Sequence, residues 1–169
     1  MTLSAEASVA EQAGVPPAAA VTPGSVDVLW SQSPPSGFDP RAYRCGRLWA
    51  TADDGVRIPI SVLMRADADA PLQARPALLY GYGSYGACTE AGWDADRLAL
   101  ADCGMLHAIC HVRGGGELGR AWHAAGRRDT KATTFRDMLV CAKALVDSGL
   151  ALSGGLCLEG RSAGGLLVG

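Results

Sequence analysis

Apolar positions change period along this chain, and the change marks out its parts. Val56, Ile58, Ile60 and Val62 alternate with polar or small residues, the period of a strand that covers one face. Residues 47–52 precede them across the turn Asp53-Asp54-Gly55, so the spacing predicts a hairpin with strands at 47–52 and 56–64. Pro59 falls on the opposite face and has no N–H to give a neighbour, which predicts an exposed edge for part of the second strand.

Beyond Pro76, short apolar runs alternate with helically spaced ones, the mark of a parallel sheet with crossover helices and hence of an α/β fold. The pattern predicts strands at 77–80, 105–112 and 156–159. A short helix is expected at 94–103 with Leu98 inward, and a longer one at 135–148. In the longer helix Phe135, Met138, Leu139, Ala142, Leu145 and Val146 share a face; Thr134 with Asp137 resembles a capping box and Gly149 a stop. Leu166, Leu167 and Val168 open a last helix. Upstream, residues 31–40 are rich in turn formers, and the Ala/Pro-rich stretch 1–24 reads as a disordered leader. The expected organisation is therefore a leader at 1–24, a linker at 25–46 and one partial domain at 47–169.

Composition narrows the function. With 169 residues, 49% of them hydrophobic, the chain can bury one ordinary core. A formal net charge of -2 supplies no general attraction for nucleic acid or an anionic membrane, and no run of eighteen apolar residues marks a span. Six cysteines without a CxxC pair suggest reduced thiols in a cytoplasmic protein rather than zinc ligands. His107 and His111 lie in a strand-like run, too far apart there to share a metal, and no metal is expected. The 22 glycines cluster at 81–86, 114–119 and 160–165.

The last cluster carries chemistry. Gly160-Arg161-Ser162-Ala163-Gly164 matches G-x-S-x-G, a nucleophile elbow, in which a strand turns so sharply into a helix that side chains two residues either side of the serine would collide. Gly160 and Gly164, with Gly165 beside them, remove those clashes. The helix start directs the Ala163 N–H toward the site, where it can hold a developing oxyanion. Ser162 is then a nucleophile on an α/β-hydrolase sheet; the plainer alternative is a glycine-rich turn. The other two clusters each fit G-x-G-x-x-G, a dinucleotide fingerprint, but the acid it requires near the end of the next strand is missing after the first. After the second, Glu117 would place negative charge beside a pyrophosphate. No cofactor is expected.

LLYGYGSYGA at 78–87, HVRGGGELGRAW at 111–122 and EGRSAGGLLVG at 159–169 together resemble the prolyl oligopeptidase family, most closely its oligopeptidase B branch, over residues 37–169. The resemblance implies an α/β-hydrolase domain capped by a β-propeller, acting without a cofactor on short peptides, after basic residues in that branch. It implies that Ser162 is the nucleophile and that the Tyr82 hydroxyl joins the Ala163 N–H in the oxyanion hole. Tyr85 would line the pocket for the residue before the scissile bond, ordinary aromatic packing being the alternative. Glu90 falls where the branch faces a second basic side chain, but the companion acid two positions on is Gly92 here. Arg113 and Glu117 look structural, with a surface ion pair as the plain alternative.

In such hydrolases the acid and base follow the serine, and the chain stops at Gly169, so the propeller, the rest of the hydrolase domain and the triad partners are expected to be missing. None of His107, His111 and His123 takes the base's place, since all precede the elbow. The fragment alone is expected to be inactive and prone to aggregate along an exposed sheet edge. An esterase of the same fold, a catalytically dead fragment and a nucleotide-binding module stand as the alternatives.

Overall fold

The computed structural model describes residues 28–31, 33–66 and 73–169; the expected leader at 1–24 lies outside them. Five strands form one sheet in the order β1-β2-β4-β3-β5. Strands β1 (Tyr43–Thr51) and β2 (Arg57–Arg65) make the hairpin, with Thr51 opposite Arg57 and Tyr43 opposite Arg65. Gly55, at φ 79°, turns the chain, and the Ala52 N–H donates to the Val56 carbonyl at 2.9 Å. β1 begins four residues before the expected start. Phe38 stacks on Tyr43 and meets Trp93 edge-on, which ties the preceding segment to the sheet.

Pro59 does not lie on an edge. β2 sits between β1 and β4, and Pro59 and Ser61 are buried along with Ile58, Ile60, Val62 and Met64. The reason is register. Ala52 and Val56 form a bonded pair, so Trp49 and Pro59 form a non-bonded one, and the proline nitrogen turns away from β1 toward β4. The β2–β4 ladder starts at Ile60 opposite Cys110, and the bond that Pro59 cannot donate to the His111 carbonyl is replaced by Trp122 Nε1, which donates to that oxygen at 3.2 Å. Only the Pro59 carbonyl is used, accepting from the His111 N–H at 3.0 Å.

Strands β3 (Arg75–Gly81), β4 (Leu106–Cys110) and β5 (Ala151–Glu159) are parallel, with β3 between the other two. β4 is buried at every position, so both of its faces are covered. Helix α1 (Ala95–Asp102) packs on β2 and β4, and its N-cap Asp94 accepts from the Asp96 and Arg97 N–H groups at 2.9 and 3.3 Å. Ala101, not Leu98, is its fully buried residue. A short helix α2 (Arg120–Ala124) precedes α3 (Ala132–Asp147), which packs against β1, β2 and β5.

α3 starts earlier than expected, and its inner face is Thr134, Asp137, Met138, Cys141 and Leu145; Leu139 is 66% exposed. Thr134 and Asp137 are therefore no capping box. Both lie inside the helix, facing inward. β5 is also longer than its apolar run, because it starts at Ala151, opposite Arg75. The pairing then jumps to Leu156 opposite Ala77, leaving residues 152–155, with Gly154 and Gly155, as a bulge that breaks the alternation.

The parallel strands set the address of the site. The chain leaves β3 after Gly81, β4 after Cys110 and β5 after Glu159, so all three following loops gather at one edge of the sheet, where α/β folds place their ligands.

Candidate active site

β5 delivers the chain to Arg161 in extended backbone, Ser162 turns it with φ 55°, and a single 3-10 turn (Ser162–Gly164) leads into helix α4 (Gly165–Val168). A serine in the left-handed region costs about 1–3 kcal/mol, which the surroundings must offset. They do so through glycine. A Cβ on Gly160 would stand under 3.0 Å from the carbonyl carbon and oxygen of Gly164, and one on Gly164 would stand 2.6 Å from the Gly81 carbonyl oxygen. Gly165 differs: the nearest atom to its Cβ would be 3.9 Å away, so the bend does not require it. Ser162 itself is exposed, at the sheet edge where the other loops converge.

Gly164 packs on the end of β3, its Cβ position 3.3 Å from Tyr82 Cα and 3.5 Å from the Tyr82 ring, so the elbow and Tyr82 are neighbours. Ala163 and Tyr82 are both half-buried. Tyr85 is 81% exposed and, at φ 59°, is a second side-chain-bearing residue in the left-handed region; it is not an aromatic in ordinary packing. Glu90 is exposed, and its backbone carbonyl accepts from Arg97 Nη1 at 3.1 Å.

Beneath these residues lies a buried support that the sequence pattern did not disclose. Arg113, 6% exposed, does not pair with Glu117 at the surface. It donates from its backbone N–H and Nε to Asp137 Oδ2, both at 2.9 Å, and from Nη2 to Asp137 Oδ1 at 2.6 Å, while Nη1 reaches Asp54. Asp137 and then Asp54 raise the guanidinium further above its ordinary range, and Arg113 holds the Asp54 carboxyl below its own. Thr134 Oγ1 donates to the carbonyl oxygen of Arg113 at 2.7 Å or to that of Gly126 at 3.1 Å.

The two remaining glycine clusters pack on each other. A Cβ on Gly114 would fall under 3.0 Å from the Gly83 carbonyl oxygen, and one on Gly116 under 3.0 Å from that of Gly86. The close approach that a dinucleotide fingerprint reserves for a pyrophosphate is here taken by protein backbone.

One further group mimics a catalytic triad. Ser61 Oγ lies 2.8 Å from His111 Nε2, and His111 Nδ1 lies 3.5 Å from Glu117 Oε1. Ser61 is 8% exposed in the middle of an inner strand, without a bend or an adjacent helix start, so this serine is structural. Burial pushes the Glu117 carboxyl up, but His111 and the Thr89 N–H, which donates to Oε1 at 3.0 Å, hold it below the usual range. His123 donates from Nδ1 to the Gly114 carbonyl at 2.9 Å. Each of these histidines is thus occupied within the glycine-rich support.

Among the described residues no three His, Cys, Asp or Glu side chains cluster as metal ligands, and no helix is long and apolar enough to cross a membrane. All six cysteines are free thiols.

Comparison with known proteins agrees with this geometry. The family described as "Prolyl oligopeptidase family" matches residues 93–169. An uncharacterized peptidase of Sinorhizobium fredii is 46% identical over 136 residues, which is 77% of this chain and 19% of that protein. Oligopeptidase B from Trypanosoma brucei superposes with a TM-score of 0.73 at 48% identity, covering 78% of this chain and 19% of that one. Oligopeptidase B from Leishmania major does so with a TM-score of 0.74 at 46% identity, covering 78% and 18%. The chain therefore spans about a fifth of the length of the relatives it matches. It carries an α/β-hydrolase sheet with a strained serine at the elbow, and it belongs to the prolyl oligopeptidase family.

Proposed function

We propose that Ser162 is the nucleophile of a serine peptidase that cleaves short peptides after Arg or Lys. The observation that carries this reading is the exposed serine at φ 55°, held at a strand-to-helix bend that side chains at 160 and 164 would block. Ser162 loses its proton to the base and attacks the scissile carbonyl, and the Tyr82 hydroxyl and the Ala163 N–H hold the tetrahedral oxyanion. The C–N bond breaks as the base returns the proton to the leaving amine, and water then hydrolyses the acyl-enzyme. Tyr85 stands exposed on the adjacent loop, free to meet the residue before the scissile bond, and Glu90 offers a carboxylate to a basic side chain beyond it. The preference for basic residues rests on the likeness to oligopeptidase B; Gly92, where a second acid would stand, argues against a strict demand for paired basic residues.

In such hydrolases the acid and base follow the serine; on this reading they, and a propeller that admits only short peptides, lie outside residues 1–169, and the enzyme acts in the cytoplasm. Residues 1–169 alone are inactive on this reading, because a serine without a base is a weak nucleophile. The test uses the polypeptide translated from the complete gene, assayed on fluorogenic peptides carrying Arg, Lys, Ala or Pro before the reporter. Cleavage after Arg and Lys, with kcat lowered about 10⁴-fold or more in Ser162→Ala, is expected. Undiminished activity in Ser162→Ala would end the nucleophile assignment, and equal cleavage after Ala or Pro would end the specificity.

A further inference from the structure

The loop that leaves β3 carries Tyr85, 81% exposed, and has few bonds of its own. Between residues 82 and 90 its internal backbone hydrogen bond is Ala87 N–H to the Ser84 carbonyl at 3.1 Å, and Tyr85 sits inside that turn in the left-handed region. Such a conformation persists only when the surroundings over-determine it, and it clusters at ligand clamps and active sites.

Two charged side chains grip this loop, one on each side of Tyr85. Lys131, half-buried at the start of α3, donates from Nζ to the Gly83 carbonyl oxygen at 2.6 Å and to Ser84 Oγ at 2.9 Å. Among the described residues it has no carboxylate partner, and burial pulls its ammonium below the usual lysine range. A cation that is partly desolvated and spends its bonds on a carbonyl and a hydroxyl is a poor device for stability alone. At the other end Glu117 accepts the Thr89 N–H at 3.0 Å, and its second oxygen, Oε2, is buried with no hydrogen-bond partner among the described residues. Neither residue is hydrogen-bonded to Tyr85 among the described residues. Each holds backbone or side chain within four residues of it, and the Gly86 N–H to Gly114 carbonyl bond, 3.1 Å, fixes the middle.

We propose that Lys131 and Glu117 are positioning residues that clamp the two ends of the 83–89 loop, so that Tyr82 and Tyr85 are held ready before a peptide arrives. This deepens the peptidase reading of Ser162 and rests on it. The two ends serve different parts of the site. Lys131 holds the residues directly after Tyr82, the oxyanion donor, so its loss acts on kcat; Glu117 holds the residue directly before Glu90, on the substrate-binding side, so its loss acts on KM.

The test uses the complete gene product, with amide hydrogen exchange over 83–89 read beside steady-state peptide cleavage. In Lys131→Met, exchange in the loop rises about 10-fold or more while exchange along β3 and α3 stays unchanged, and kcat falls about 10-fold with KM within about two-fold. In Glu117→Ala the loop exchange rises likewise, and KM rises about 10-fold with kcat nearly constant. Lys131→Arg and Glu117→Gln keep a donor and an acceptor in place, so each restores most of the loss. Lys143→Met, which breaks an exposed pair with Asp147, changes neither readout. Unchanged loop exchange in both truncations overturns the clamp. So does an exchange rise spread over the whole domain, or equal losses in kcat and KM unrescued by the conservative variants. If the wild type cleaves no peptide, the enzyme reading fails by itself, and loop exchange alone decides whether the clamp exists.

Discussion

Replacing Asp137 by alanine is the sharpest perturbation of the support beneath the site. Asp137 is fully buried in α3 and accepts three hydrogen bonds from Arg113, one from the backbone N–H and two from the guanidinium. Removing it strands a cation whose side chain is 7% exposed, and breaking a buried pair from one side costs about 3–5 kcal/mol. Asp54 still reaches the guanidinium, but its side chain is 52% exposed, so water screens much of its attraction; the loss is expected near the lower end, about 3 kcal/mol. The double variant Arg113→Met, Asp137→Leu removes both charges. It retains only an unbonded Arg113-position N–H, a cost of about 1–3 kcal/mol, so it is more stable than the single variant and far from additive. The assay is amide exchange along α3 in the complete gene product as urea is raised, which reports this domain by itself. A loss below about 1 kcal/mol in Asp137→Ala, or a double variant as unstable as the sum of its parts, would refute the argument that this pair is a desolvated, mutually dependent unit.

Two further outcomes follow from particular residues. Burial, with help from the nearby Arg97 charge, lowers His107 from 6.5 to about 4, so between those values the unfolded chain takes a proton that the folded one refuses. Stability is full above pH 6.5 and falls as pH drops toward 4, by at most about 3 kcal/mol; urea unfolding across that range measures the slope, and His107→Gln should flatten it. Gly160→Ala, whose new Cβ would meet Gly164 backbone, should cost about 1–3 kcal/mol, whereas Gly92→Ala, with open space around it, should stay within about 0.5 kcal/mol by the same exchange assay.

What was legible in the sequence was what neighbours in the chain decide. The hairpin turn at Gly55, the crossover helices and the approach of Gly160 to Gly164 each answer to residues a few positions away, and each is present; the approach of Gly164 to Gly81 spans 83 positions and no local spacing records it. Pro59 misled because edge or interior is settled by the strand order, in which β4 arrives from elsewhere in the chain to cover β2. Leu139 carries the right period yet faces outward, because the buried face of α3 is turned toward Thr134 and Asp137. Those two polar residues looked like a cap for the same reason that the support was missed: Asp137 bonds Arg113 across 24 positions, Lys131 bonds Gly83 across 48 and Ser61 bonds His111 across 50. Spacing within a helix or strand holds no record of such partners. The glycine clusters at 81–86 and 114–119 gave a hint, since glycines that receive no ligand must make room for something, and here each makes room for the other.

The account depends most on the oxygen of Ser162 being the reactive atom, and covalent trapping reads that atom directly. The complete gene product, treated with a fluorophosphonate and digested, should yield a single adduct on the peptide bearing Ser162, absent in Ser162→Ala. An adduct on Ser61 or any other serine, or no adduct in a preparation that cleaves peptides, would contradict it.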